Sequence, residues 1–343
     1  MTVILAPSTE QDIGPPLNVP SIDVFVTFRC GLRCSHCFVG DNLDSFHNMS
    51  FVSLENLLRT AHSWQTRQVT FLGGEPTMYP RFSDALRLAW AEGYQARVVT
   101  NGHLSYRRFL RTNTDSAAQP VVCFSIDGST ARVHDAIRGA GSFSVLLDSI
   151  ARTIAAGYRI SAIVAVCREN YRDVEGILQM CRRFACEYVN IHYVTNRGFA
   201  KATSVLSIDE WRDVCDVIKE AASAGRPELR VERTFLDDPP EHFTCAVTSR
   251  SNLMFLPDGR VYMCMMFIDV PNAHSFVWDG ESLRPNLAAT SERAFVHRQT
   301  LSGCPAMALV NAEIAAQAAS RGKFIQCMYD KESVLAGSDR IGS

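Results

Sequence analysis

Residues 26–40, VTFRCGLRCSHCFVG, place three cysteines within eight positions at the spacing C-x₃-C-x₂-C. The apolar residues before them predict a strand, so the cysteines lie on the loop that follows it. Soft thiolates suit iron, and one loop of this length can hold three corners of a four-iron cluster. The alternatives are a zinc site that takes a distant fourth ligand and a chance spacing.

The composition is that of an ordinary globular protein. The chain has 343 residues, 47% of them hydrophobic and 20% charged, with a formal net charge of -2 and 12 cysteines. This charge indicates no surface for nucleic acid, and the cysteine content favours metal or redox chemistry over disulfides. No run reaches the roughly 20 apolar residues that span a bilayer, and residues 1–16 lack the basic start and the long apolar core of a signal peptide. We therefore expect a cytoplasmic protein with a small-molecule substrate, no nucleic-acid partner and no membrane.

Strand-like and helical segments alternate along the central part of the chain. Helical periodicity covers residues 51–62, 80–93, 142–157 and 174–185, and strand-like runs lie between these segments. About six strand and helix pairs between residues 21 and 200 predict the α/β class, with a parallel sheet curved into a partial (β/α)6 TIM-like barrel. In such folds the carboxyl ends of the strands carry the chemistry.

The pattern changes beyond residue 211. A helix, a proline-containing breaker, a short hairpin signal over residues 252–264 and an alanine-rich helix near residue 310 follow one another. We expect an N-terminal extension over residues 1–20, a barrel over residues 21–203 and a smaller C-terminal domain over residues 204–343.

Two motifs together resemble the radical S-adenosylmethionine (SAM) superfamily. Its signature C-x₃-C-x-Φ-C corresponds to Cys30, Cys34 and Cys37, with His36 in the aromatic position. The glycine-rich segment that follows the second strand in that superfamily corresponds to Gly73, Gly74, Glu75 and Pro76.

The resemblance implies a 4Fe-4S cluster whose open iron is chelated by SAM. SAM then accepts an electron, supplied by a donor such as flavodoxin or ferredoxin, and breaks to a 5′-deoxyadenosyl radical that takes hydrogen from substrate. Ser125 and Asp127 share one strand face by the period of two and are expected to point toward SAM. Arg138 either pairs with the methionine carboxylate or is a solvated surface arginine. The predicted cofactor-binding residues are Gly73, Gly74, Glu75, Pro76, Asn101, Ser125, Asp127, Arg138 and His36.

A second group of cysteines resembles the SPASM and twitch auxiliary-cluster domains of that superfamily. Cys245 is separated by thirteen residues from Gly259, which is followed after four residues by Cys264, as in the C-x₉₋₁₅-G-x₄-C hairpin of those domains. Cys304 and Cys327 are the predicted remaining ligands of a second 4Fe-4S cluster, although their wide separation departs from the common pattern. A structural zinc on four thiolates is the alternative.

Some reactive residue types fall outside these motifs. Cys123 has the same strand phase as Ser125, and Cys167 ends the fifth strand, so each is either a hydrogen-atom donor to the substrate or an inert buried thiol. His192 on the sixth strand either contacts substrate or is a satisfied barrel histidine. Cys181, Cys186 and Cys215 are predicted to be core residues.

Three function classes compete. The first is a radical SAM enzyme that acts on a natural-product precursor such as a sugar, aminocyclitol or nucleoside, by dehydrogenation, epimerisation or rearrangement. The second is a radical SAM maturase of a ribosomal peptide, and the third is a non-catalytic iron-sulfur or zinc scaffold. Only about 20 residues precede the first strand, too few for the leader-binding module of many peptide maturases, and this favours the first class.

Overall fold

The computed structural model describes residues 18–113, 119–232, 234–238, 245–249, 252–293, 303–329 and 331–334. Most of the predicted N-terminal extension, residues 1–17, lies outside the described residues. Among the described residues, no helix combines the length and the apolar character needed to cross a membrane.

A run of parallel strands forms the centre of the sheet, and each strand pairs with the next one along the chain. These strands are β1 (Ser21–Thr27), β2 (Gln68–Gly73), β3 (Gln95–Thr100), β4 (Val121–Ser125), β5 (Ile160–Val166), β6 (Tyr188–Tyr193) and β7 (Glu228–Glu232). The intervening helices are α1 (Phe51–Ala61), α2 (Phe82–Ala91), α3 (Leu104–Thr112), α4 (Ala131–Arg138), α5 (Ser142–Ala155), α6 (Val174–Arg183) and α7 (Ile208–Ala222). The predicted α/β class with a mostly parallel sheet is confirmed.

Local sequence explains where several helices begin and end. The Ser50 side chain accepts a hydrogen bond from the Ser53 N–H at the start of α1. Ser207 and Glu210 form a reciprocal capping box at the start of α7, which satisfies donors that have no partner within the helix. Gly93 and Gly157 follow α2 and α5 with φ of 81° and 80°, a backbone conformation that favours glycine and ends a helix.

The two faces of the parallel strands are buried to different degrees. Alternate residues that pack toward the helices are fully buried, for example Val98 on β3 and Ile191 on β6. Residues of the opposite phase point into the concave side, here called the lumen, and many are only half-buried, including Thr70, Arg97 and Asn190. This alternation follows from the period of two along a strand, and it leaves the lumen accessible.

The C-terminal part of the chain extends both edges of the same sheet. Its elements are β8 (Phe235–Leu236), α8 (Ala246–Ser249), β9 (Asn252–Phe255), β10 (Arg260–Tyr262), β11 (Phe276–Trp278), β12 (Leu283–Pro285), α9 (Pro305–Val310), α10 (Ala312–Ser320), β13 (Phe324–Ile325) and β14 (Lys331–Val334). Strand β9 pairs in parallel with β1, the strands β9 to β12 form an antiparallel meander, and β14 pairs antiparallel with β7.

The described sheet is open. Its order is β12-β11-β10-β9-β1-β2-β3-β4-β5-β6-β7-β14, and its two edge strands do not pair with each other within the described residues. The predicted boundary after residue 203 falls between β6 and α7, while parallel pairing continues through β7. The division into barrel and C-terminal domain stays a prediction.

Candidate active site

The predicted cysteine loop follows β1 directly. Its backbone bonds to the end of α4, where the Ser35 N–H donates to the Ile137 carbonyl at 2.9 Å. Cys34 is buried, and Cys30 and Cys37 are half-buried. The structure therefore brings the three thiols together on a loop that is anchored to its neighbours.

Burial and mutual proximity dominate the electrostatics of these thiols. Burial is the main cause that raises the pKa of Cys30 to about 12, with smaller contributions from the Glu75 carboxylate and the other two thiols. Burial likewise raises the pKa of Cys34 and of Cys37. Because metal ligation requires the thiolate form, a positively charged metal centre is what would hold all three sulfurs deprotonated here.

N–H groups point at two of these sulfur atoms. The Leu32 N–H and the Asn101 Nδ2 lie 3.4 and 3.7 Å from Cys30 Sγ, and Arg138 Nη1 lies 3.8 Å from Cys34 Sγ. Such donors stabilise the charge on cluster-ligating thiolates. No three His, Cys, Asp or Glu side chains of the described residues form a site for a single metal ion. In an iron-sulfur cluster each thiolate binds a different iron, so the three sulfurs need not converge on one ion. The loop therefore fits an iron-sulfur cluster.

The two glycines of the GGEP segment lie against the cysteine loop. The Gly74 N–H donates to the Thr27 carbonyl at 2.8 Å. A side chain on Gly74 would lie 2.6 Å from the Phe28 and Arg29 carbonyl oxygens, and one on Gly73 would clash with the Thr27 backbone. Glycine is therefore required here for close approach to the loop. The predicted contact of Gly73 and Gly74 with SAM stays a prediction.

Glu75 joins the ends of two strands. Its carboxylate is buried and accepts hydrogen bonds from Thr77 Oγ1 at 2.6 Å, Thr100 Oγ1 at 2.9 Å and the Asn101 N–H at 2.9 Å. Burial raises the pKa of Glu75, and these donors oppose the rise. Pro76 then begins a short 3₁₀ turn. Glu75 thus positions Asn101, whose side chain faces Cys30.

Asp127 is the centre of a buried ionic network. Its carboxylate is fully buried and contacts His36 Nε2 at 2.7 Å and Arg138 Nε at 2.5 Å, and it accepts the Ala165 N–H at 2.9 Å. Burial alone would raise the pKa of Asp127, but Arg138 and His36 hold it well below its usual range. Arg138 is therefore buried rather than solvated, with Nε bound to Asp127. Ser125, which ends β4, is buried nearby.

The two thiols predicted as hydrogen donors are both buried. Cys123 is 2% exposed, and its sulfur lies 3.0 Å from the Tyr188 hydroxyl. Cys167 has no exposed surface and bonds to the Glu169 carboxylate. Burial raises the pKa of Cys123 to about 11 and also raises that of Cys167. The donor roles of both residues stay predictions.

The four C-terminal cysteines of the second predicted cluster line one pocket. Cys245, Cys264, Cys304 and Cys327 are each less than 10% exposed, and all four line the same small pocket. Burial, followed by the Cys327 thiol, raises the pKa of Cys304 to about 12. Four soft ligands around a cavity fit a second metal centre.

The chain separation between Cys304 and Cys327 is closed by a short backbone contact. The Cys304 N–H donates to the Ile325 carbonyl at 2.8 Å, and Gly303 packs on Ile325 with φ of 102°. The wide spacing that departs from the common auxiliary-domain pattern therefore does not keep these thiols apart. Cys264 is held from another side, because its N–H donates to the buried Glu292 carboxylate at 2.9 Å.

The lumen contains a charged cluster that the sequence motifs did not reveal. His192 Nδ1 lies 2.6 Å from Glu232 Oε1, and His192 Nε2 lies 3.2 Å from Lys331 Nζ. Glu232 also accepts the Tyr193 N–H at 3.0 Å. Only His192 was a candidate from the sequence. Glu232, the partner of His192, lies on strand β7. The alternating charges of Glu228, Arg230 and Glu232 were the sequence pattern that could have indicated this strand.

The comparisons with known proteins agree with the cysteine-loop motif. The radical SAM superfamily profile matches residues 24–181. Mycofactocin maturase MftC of Mycobacterium ulcerans is 30% identical over 166 residues, which is 46% of this chain and 43% of that protein. A tungsten-containing aldehyde ferredoxin oxidoreductase cofactor-modifying protein of Pyrococcus furiosus is 27% identical over 262 residues, which is 73% of this chain and 72% of that protein.

A solved structure shares the fold. Streptococcus suis SuiB bound to precursor peptide SuiA aligns with a TM-score of 0.66 and 13% identity, over 77% of this chain and 63% of that chain. This chain thus spans less than half of the mycofactocin maturase and less than two thirds of SuiB. The cysteine loop, the GGEP segment and the profile match identify residues 24–181 as a radical SAM domain, the family whose cofactors are a 4Fe-4S cluster and SAM.

Proposed function

We propose that this protein is a radical SAM maturase that modifies a peptide. The observation that carries the proposal is the sequence likeness to mycofactocin maturase, at 30% identity over 166 residues. SuiB, which aligns with this fold, was solved with a precursor peptide bound, and this adds support. The expectation of a small-molecule substrate rested on the short segment before the first strand. The length of that segment concerns only whether a leader-binding module lies within it, and it does not exclude a peptide substrate.

Cys30, Cys34 and Cys37 are the proposed ligands of the SAM-binding cluster. When bound, the cluster and SAM supply a 5′-deoxyadenosyl radical that takes a hydrogen atom from substrate. The role of the protein chain is to hold the thiolates and to position the residues around them. Asn101 faces one sulfur, and Asp127 holds His36 and Arg138 beside another. An external donor such as flavodoxin or ferredoxin is the proposed source of the electron.

The four cysteines around the C-terminal pocket are the proposed ligands of an auxiliary 4Fe-4S cluster. Their burial and their common pocket support this assignment. A structural zinc on the same four thiolates is the alternative, although no three of these described side chains converge on a single-ion site. Iron and zinc analysis of anaerobically purified protein separates the two, because a zinc site would leave only one cluster's worth of iron.

A small-molecule substrate is the second candidate. The observation that favours it is the likeness to the cofactor-modifying protein, which covers 73% of this chain. The half-buried polar residues of the lumen, among them Asn190, Arg97 and Thr70, suit either kind of substrate.

Co-expression tests the proposal. The chain is produced with each short open reading frame encoded beside its gene, and the peptides and the small metabolites are compared by mass spectrometry. The matched control is the triple variant Cys30→Ala, Cys34→Ala, Cys37→Ala. We expect a peptide whose mass changes only with the active chain. A cysteine-dependent change in a small metabolite and in no peptide would replace the first candidate by the second.

A further inference from the structure

Lys331 is an unusual residue in this chain. The sequence contains 30 arginines but only four lysines, which are Lys201, Lys219, Lys323 and Lys331. Lys201 and Lys219 are exposed, and Lys323 pairs with Asp237. Lys331 begins β14 and is half-buried in the lumen. A guanidinium holds its proton at all ordinary pH values, whereas a buried amine can release it, so a lysine differs chemically from the arginine used elsewhere.

The contacts of Lys331 form a line of three groups from three strands. Lys331 Nζ lies 3.2 Å from His192 Nε2, and His192 Nδ1 lies 2.6 Å from Glu232 Oε1. The Glu232 carboxylate is 3% exposed and also accepts the Tyr193 N–H. A carboxylate at Nδ1 makes that nitrogen the donor and leaves Nε2 as an acceptor for the lysine. The imidazole is therefore fixed by Glu232 and in turn fixes the amine.

Charged groups face Lys331 from three strands besides its own. The pKa of Lys331 is lowered overall, chiefly by burial. The carboxylates of Glu232 on β7 and Asp23 on β1 raise this pKa, and the positive charge of Arg230 on β7 lowers it further. His192 on β6 contacts the amine directly. Asp23 is enclosed as well, since burial raises its pKa to about 6 against the influence of Thr70, Lys331 and Arg97.

The line of groups ends close to the proposed radical site. His192 pairs with Ala165 on the neighbouring strand β5. The Ala165 N–H donates to Asp127, which also contacts His36 on the cysteine loop. One strand spacing, about 4.8 Å, therefore separates the His192 backbone from the network beside the loop. His192 has a side chain that is 33% exposed, so the lumen reaches this cluster.

We propose that Lys331 is the amine that accepts a proton from the substrate in the lumen, with His192 and Glu232 as the residues that position it. The inference rests on the proposed function and names a step of it. When a hydroxyl or amide group next to the radical carbon is oxidised, the O–H or N–H bond breaks. Its proton goes to Lys331 Nζ, one electron goes to an iron-sulfur acceptor, and the remaining electron joins the radical electron in a new double bond.

Competitive labelling of lysines tests the proposal without peptide, SAM or turnover. Anaerobically reconstituted full-length protein is acetylated with isotopically labelled acetic anhydride across neutral to alkaline pH, and each lysine is quantified by mass spectrometry. Lys201 and Lys219 are the internal controls. We expect the reactivity of Lys331 to rise at lower pH than that of either control, since only the neutral amine reacts.

Two variants probe the source of that behaviour. Glu232→Gln and Asp23→Asn each remove a negative charge near Lys331, so each lowers the pH at which Lys331 becomes reactive. Either variant suffices if the other does not fold. A Lys331 that reacts at the same pH as the controls, at higher pH, or not at all in the folded protein would overturn the proposal.

A conservative substitution separates a proton acceptor from a structural cation. Lys331→Arg keeps the charge but cannot release a proton, and we expect the ratio of product to 5′-deoxyadenosine to fall by about 100-fold or more. Formation of 5′-deoxyadenosine itself should continue. An unchanged ratio would show that only charge matters and would overturn the proposal. Absence of any peptide product from wild-type protein counts against the maturase function and leaves the labelling result to decide this inference.

Discussion

Replacing Asp127 by asparagine is the sharpest test of the buried network beside the cysteine loop. The change keeps the shape and the oxygen that accepts the Ala165 N–H, but it removes the charge that faces Arg138 and His36. The Asp127 side chain is fully buried and that of Arg138 is 9% exposed. Removing one partner of such a pair leaves an uncompensated buried charge and costs about 3–5 kcal/mol.

The assay is urea unfolding at neutral pH, with iron content matched between wild type and variant. Asp148→Asn is the matched control, because Asp148 pairs with Arg107 and Arg152 at the surface, where ion pairs contribute little to stability. The double variant Asp127→Asn, Arg138→Met should recover part of the loss, since neither partner then remains alone. A single variant that loses no more than the control would refute the assignment of Asp127 as the network centre.

The dependence on pH has a defined sign. Because Arg138 and His36 hold the pKa of Asp127 well below its usual range, the carboxylate stabilises the folded state at every pH above the unfolded value of about 3.9. That contribution is lost as the pH falls from there toward the folded-state pKa. The free-energy difference between wild type and Asp127→Asn should therefore shrink in strong acid. A constant difference would contradict the linkage.

Three further predictions concern the cofactors and the thiols. Reconstituted protein should bind about eight iron and eight sulfide. Cys304→Ala should lower the iron content toward about four per chain, whereas the core variant Cys181→Ala should leave the iron content unchanged. Arg138→Lys should weaken SAM binding measured by calorimetry, because an ammonium has one nitrogen and cannot both pair with Asp127 and point a second nitrogen at Cys34. An unchanged dissociation constant would show that Arg138 does not contribute to the SAM site. Turnover in deuterated water should leave no deuterium at a product carbon, since Cys167 is buried; deuterium that disappears in Cys167→Ala would establish that thiol as a hydrogen donor.

Much of the parallel sheet was predictable because its strands and helices have clear periodicity. The run at β5, ISAIVAV, is apolar on both faces, and α5 has an apolar stripe that ends at Gly157. Strand β7, ELRVE, was not predicted. Its lumen face carries Glu228, Arg230 and Glu232, so the charges conceal a buried strand whose other face is Leu229 and Val231. Charge on one face of a short strand resembles a surface loop when only sequence is considered.

The candidate site was predictable in its residues and less so in their partners. The cysteine spacing identified the loop, but contacts between distant parts of the chain, such as Arg138 with Cys34 or Lys331 with His192, depend on how the strands are arranged in the sheet. The parallel pairing of β9 with β1 joins residues more than 200 positions apart, and no local pattern encodes it. The role of Gly74 also became visible only from the distance between its backbone and the cysteine loop.

The short segment between β13 and β14 links two regions whose functions would usually be studied separately. It carries Cys327 into the C-terminal pocket and, four positions later, Lys331 into the lumen, and between them the Tyr329 hydroxyl accepts the Met265 N–H at 2.8 Å and contacts Met254. Because one segment carries both residues, we expect a Cys327 variant that empties the pocket to disturb the position of the lumen amine as well. Loss of activity in such a variant would not measure electron transfer alone, whereas Tyr329→Phe retains all four thiols and removes the hydroxyl that accepts the Met265 N–H.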